Sequence, residues 1–82
     1  MNNKFIESKI RSWFKKKNKP IKANTNFLRE GIIDSFDIID LVSFMEKEFD
    51  IKFEAEDYQN PDFTVLKNLV KIIKNYRGRL QS

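Results

Sequence analysis

The chain has 82 residues, contains neither cysteine nor histidine, and carries a formal net charge of +4. So short a sequence builds one domain, residues 1–82, around one modest core; without cysteine it has no disulfides or thiolate metal sites, and without histidine it lacks the commonest general base and metal ligand. Stability must come from apolar packing, to which eight phenylalanines contribute, and an enzyme is a poor fit to this composition.

From Lys4 to Lys17, residues Phe5, Ile6, Ile10, Trp13 and Phe14 recur at helical spacing with lysines and Arg11 between them, which predicts an amphipathic first helix. The stretch is charged throughout and has no apolar run of signal-peptide or membrane-spanning length. It therefore predicts a cytoplasmic protein without stable membrane insertion. Pro20 and the polar residues Asn24, Thr25 and Asn26 end the helix, and no period returns until Asp34. A loop of about 16 residues is long for a compact fold and points to either function or disorder. Ile21, Phe27, Leu28, Ile32 and Ile33 argue that this one is pinned to the core.

A second helix is expected from the Asp34-Ser35 pair to about Asp50, since either side chain can cap the free N–H groups of its first turn. Ile38, Leu41, Val42, Met45 and Phe49 form its buried stripe, while Phe36 and Ile39 fall off it. Asp34, Asp37 and Asp40 crowd the end where the helix dipole favours negative charge. Residues 51–60 read as an extended piece followed by one or two helical turns. A last helix is expected from about Thr64 to Arg77, with Leu66, Leu69, Val70, Ile73 and Tyr76 inward, Lys71 and Lys74 outward, and Gly78 as its stop. The elements make a small all-α bundle.

Charge is unevenly spread. Residues 1–33 hold nine Lys/Arg and two acids, residues 34–57 two and nine, and residues 58–82 five and one. An acidic middle inside a basic frame can orient the molecule toward basic partner surfaces.

Ser35 stands at the first position of a helix, behind a loop containing Gly31, beside backbone N–H groups that suit a phosphoryl group. Asp34 and Asp37 oppose a bound phosphate and make better sense as contacts for a basic partner or for a metal ion held during attachment. On these grounds alone, a simple helix cap is the better reading of Ser35 or Asp34.

The longer string FLREGIIDSFDIIDLVSFMEKEF, Phe27 to Phe49, resembles the heart of acyl carrier proteins, with Gly31, Asp34, Ser35, Glu46 and Phe49 matching the family pattern in order and spacing. Ile51 to Phe53 resembles the family's extended exit and Asp62 to Val65 the start of its final helix, so the likeness covers nearly the whole chain. The resemblance implies a four-helix bundle with a short third helix and a long loop between the first two. It also implies a free-standing, non-catalytic carrier in which 4'-phosphopantetheine, taken from coenzyme A, is joined to Ser35, next to Asp34, and holds an acyl or aminoacyl group as a thioester. Implied partners are a phosphopantetheinyl transferase, acting with magnesium, a loading ligase and enzymes that use the cargo. Asp34, Phe36, Asp37, Ile39, Asp40 and Glu46 are the expected recognition residues on the second helix. For the acids the competing reading is a solvated helix face, and for Phe36 and Ile39 it is core packing. Asp-Ser-Phe in place of Asp-Ser-Leu is similar to the D-alanyl carriers and to carriers of specialised or surface-polysaccharide pathways.

The basic ends support a rival: a helical interaction module binding nucleic acid or anionic lipid through Lys15, Lys16, Lys17, Lys19 and Lys22, with Trp13 and Phe14 beside them. The carrier reading expects no nucleic-acid partner and a monomer. A hydrolase with Ser35 as nucleophile would need a lysine or carboxylate as its base.

Overall fold

A computed structural model describes residues 2–81, with side chains through residue 77. Helix α1 spans Asn3–Lys16, α2 Ser35–Phe49, α3 Ala55–Gln59 and α4 Leu66–Gln81, with a 3-10 turn at Pro61–Thr64. Among the described residues the only β pairing is an isolated antiparallel bridge between Asn26 and Val65. The all-α, four-helix architecture with a short third helix is the one the sequence resemblance implies.

Asn2 caps α1 by accepting the Phe5 N–H at 2.8 Å, and Ile6, Ile10 and Phe14 bury its inner stripe. The helix stops where Asn18 turns left-handed at φ 58, a conformation that Asn tolerates better than most residues. Phe5, expected on the apolar face, is nearly half exposed.

The long loop is pinned, as its apolar residues predicted, with Ile21, Phe27 and Ile33 buried and Ile32 packed against the core. Leu28 is the exception and stands exposed. Much of the fastening is backbone hydrogen bonding to the start of α4: Phe27 N–H donates to Thr64 O at 2.9 Å and Lys67 N–H to Ala23 O at 2.9 Å. The Arg11 guanidinium adds a bond to Ile21 O at 2.6 Å.

Helix α2 buries Leu41, Val42, Met45 and Phe49, each worth on the order of 1.5–3 kcal/mol relative to exposure. Ile38 lies only half buried at the edge of the stripe. Asp50, left-handed at φ 54, closes the helix, and the Arg77 guanidinium donates to Phe49 O at 3.0 Å, a favourable charge at a helix carboxyl end. Ile51 and Phe53 then re-enter the core. Phe53, Tyr58, Phe63 and Tyr76 form an edge-to-face aromatic cluster beneath α3.

Two boundaries differ from expectation. Helix α4 begins at Leu66 rather than Thr64, because Asn60 accepts the Asp62 N–H at 2.9 Å and starts a separate 3-10 turn. It also continues past Gly78 to Gln81; a helical glycine costs only about 1 kcal/mol relative to alanine and need not stop the helix. Helix α1 packs against α4. Among the described residues, no helix is long and apolar enough to cross a membrane.

Candidate functional site

The head of α2 is built by the eight residues before it. Phe27 is fully buried, and its carbonyl accepts both Ile32 N–H at 3.0 Å and Ile33 N–H at 3.1 Å, so the chain folds back on itself. Gly31 makes this turn at φ 71, with open space where a Cβ would stand. Glycine is required there for its backbone freedom rather than for room. Ile33, buried immediately before the cap, and Ile38, in the second turn, occupy the positions of a hydrophobic staple.

Asp34, not Ser35, is the cap. Its carboxylate accepts Asp37 N–H at 2.9 Å, and the Asp37 carboxylate accepts Asp34 N–H at 3.3 Å, closing a reciprocal capping box. The backbone N–H of Asp37 holds the Asp34 carboxyl below the ordinary aspartate range, a shift opposed by partial desolvation and aided by Phe36 N–H and Lys19. Ser35 comes next as the first helical residue, exposed, and its hydroxyl has no hydrogen-bond partner among the described residues.

The Asp34 carboxylate takes the Asp37 N–H, one of the helix-start donors, and so stands beside the Ser35 hydroxyl. The free, exposed hydroxyl still fits the attachment of a long arm, which needs an accessible nucleophile and room beyond it. Among the described residues no side chain accepts a hydrogen bond from this hydroxyl: the neighbouring Asp34 carboxylate takes the Asp37 N–H, and the chain has no histidine. Among the described residues no cluster of three or more acidic groups is placed to hold a metal ion.

The remaining predicted residues separate into distinct roles. Phe36 is 80% exposed and Ile39 63% exposed, which decides against core packing for both. Asp40 is exposed and makes no hydrogen bond or ion pair among the described residues. Asp37 is half buried, capping the helix and paired with Lys17 at 3.9 Å. Glu46 is turned to the chain beyond α2, accepting Phe53 N–H at 2.8 Å, so it anchors the exit segment.

Three features had no local signal in the sequence. Lys17, also 4.9 Å from the Trp13 ring, comes from 20 positions away to meet Asp37. Ile38, Ile39, Val42, Ser43 and Tyr58 line a shallow groove of about 250 Å³ between α2 and α3. Ser35, Ile39 and Ser43 lie at four-residue steps, so the groove continues down the helix from the serine. Tyr76 hydroxyl donates to the Asp57 carboxylate and accepts Glu54 N–H at 3.1 Å, tying α3 to α4.

A family model described as a phosphopantetheine attachment site matches residues 4–73. No curated protein and no solved structure matches the chain.

Proposed function

The chain belongs to the phosphopantetheine attachment-site family, whose members carry covalently bound 4'-phosphopantetheine, and from that membership we propose that Ser35 bears the arm and that the protein is a carrier of acyl or aminoacyl groups. The observation that carries this reading is the exposed, unpartnered Ser35 hydroxyl at the head of a helix whose cap is supplied by its neighbour. A serine needed for capping would be a poor candidate for modification; this one is spare.

In loading, the Ser35 oxygen forms a bond to the phosphorus next to the pantetheine portion of coenzyme A. The bond from that phosphorus to the adenosine bisphosphate portion breaks, and the hydroxyl proton leaves to a base. Among the described residues no side chain accepts a hydrogen bond from the Ser35 hydroxyl, and we assign its activation to a separate transferase. The attached arm supplies a terminal thiol, on which a cargo is carried as a thioester.

The acidic face of α2 is the proposed partner surface. Phe36 and Ile39 offer exposed apolar contacts, and Asp40 offers a charge with no structural duty. Asp34 and Asp37 add charge but also build the capping box, so reversing either one would disturb the helix as well as recognition. Asp40→Lys separates the two effects: loading should slow at least tenfold while the melting temperature stays within a few degrees of wild type.

The deciding experiment is the intact mass of the protein before and after incubation with coenzyme A, magnesium and a broad-specificity phosphopantetheinyl transferase. Wild type should gain one arm, and Ser35→Ala, with an unchanged circular-dichroism spectrum, should gain none. An arm on the alanine variant, or none on wild type beside an active control carrier, overturns the assignment.

A further inference from the structure

Lys17, on Asp37, and Lys19, beside Asp34, are the basic residues that reach the head of α2; a second basic face can be traced separately. Lys4, Arg11 and Lys15 recur along the outward side of α1, where they line one shallow trough. Lys4 and Glu7 also line a second trough with Lys67 and Lys71 of α4. The two depressions share residues, so they form one continuous face across both helices. Against five cations it holds one acid, Glu7, which is paired with Arg11 at 3.4 Å. Lys4, Lys15, Lys67 and Lys71 are exposed and form no ion pair among the described residues. Phe5 borders the first trough, 44% exposed, with the Lys9 ammonium 5.4 Å from its ring.

This face is distinct from the one that meets α2. Lys9 of α1 and Lys17, just past its end, pair with α2, at Glu48 and Asp37. At 100° per residue they fall on a different side of the helix from Lys4, Arg11 and Lys15. The charges are spread over two helices instead of converging on one pocket, and four of the five are lysines. Such a layout suits a broad, diffuse negative surface better than a single anion, and one exposed phenylalanine suits the boundary between headgroups and acyl chains.

We propose that the α1–α4 face, centred on Lys4, Lys15, Lys67 and Lys71 with Phe5 at its edge, adsorbs reversibly to anionic lipid bilayers. Adsorption is electrostatic and peripheral, because the apolar stripe of α1 is already buried in the core. None of the residues of this face belongs to α2, so its lipid contact can be measured separately from loading at Ser35.

Co-sedimentation of the full chain with vesicles tests this. Vesicles with about one-third phosphatidylglycerol should bind the protein at low salt and release it near 0.5 M salt, where the screening length falls to roughly 4 Å. Pure phosphatidylcholine vesicles should bind little. Each lysine near an anionic surface contributes on the order of fivefold in partitioning. Lys67→Gln with Lys71→Gln should therefore weaken binding at least tenfold, whereas Lys47→Gln with Lys52→Gln, which removes the same charge elsewhere, should change it less than threefold. Equal losses from the two pairs would mean that net charge alone governs binding, and would overturn the proposed face. So would equal binding to neutral vesicles, no binding to anionic ones, or tighter binding to a DNA duplex under the same salt. Loading of the Lys67/Lys71 variant measured in parallel should match wild type, so the outcome is independent of the carrier assignment.

Discussion

Helices α2 and α3 begin with related devices. Asp34 and Asp37 exchange hydrogen bonds at the head of α2, and Asp57 reaches back to Glu54 N–H at 2.9 Å at the head of α3. Beyond their caps the two helices differ. Helix α2 runs for 15 residues and buries four side chains, while α3 runs for five and buries none. A cap sets where a helix starts, but the apolar stripe determines how firmly it is held. Helix α3 relies on a side chain from another element, the Tyr76 hydroxyl on Asp57, together with the aromatic packing of Tyr58.

The sharpest way to break this contrast is to hollow out α2. Leu41 is fully buried, so Leu41→Ala should cost about 2–5 kcal/mol, measured by urea denaturation, with every helix lost together. A cost below about 1 kcal/mol would show that α2 does not depend on its stripe.

A smaller and more local effect is expected at the α3 tie. Tyr76→Phe should cost about 1–2 kcal/mol and raise amide exchange in α3 while leaving α2 protected. Burial, with the hydrogen bond to Asp57, pushes the Tyr76 hydroxyl from 10.0 up to about 12. Its neutral form is therefore favoured by folding, so this stabilisation is complete below pH 10 and is lost as pH rises toward about 12. Tyrosinate absorbance tracked alongside helicity should show the alkaline loss in wild type, and Tyr76→Phe should flatten it.

The smallest effect belongs to the α2 cap. The Asp34 carboxyl is lowered from 3.8, so its contribution is present above that value and lost as pH falls through the folded one. Asp34→Asn keeps an oxygen acceptor for Asp37 N–H and should remove only this acid-side dependence, shifting the neutral melting temperature by a few degrees at most. Thermal melts across the acid range would show whether the slope disappears.

Much of α2 was legible because its signals are local: cap residues at 34 and 35, acids in the first turns, and an apolar stripe at three- and four-residue steps. The same pattern could not choose between Asp34 and Ser35 as cap, since both side chains can accept the bond. Nor could it decide Phe36 and Ile39, because a stripe's width depends on what packs against it, and only exposures of 80% and 63% settle that neither packs in the core. Glu46 fitted an acidic docking face until its bond to Phe53 N–H, seven positions away, gave it a structural task. The end of α4 was misread because Gly78 tolerates helical as well as left-handed backbone. Lys17 on Asp37 and Tyr76 on Asp57 span 20 and 19 positions, distances over which residue spacing carries no information.

The hydrogen bonds from Phe27 to Thr64 and from Lys67 to Ala23 have a consequence in time. They join the loop before Ser35 to a stretch some 40 residues later, so the local turn at Gly31 is fastened to the rest of the fold only when the last helix docks. During synthesis the serine is made before the stretch that fastens its loop. A partner that reads the head of α2 as a shaped surface would therefore meet that surface complete only in molecules whose last helix has docked.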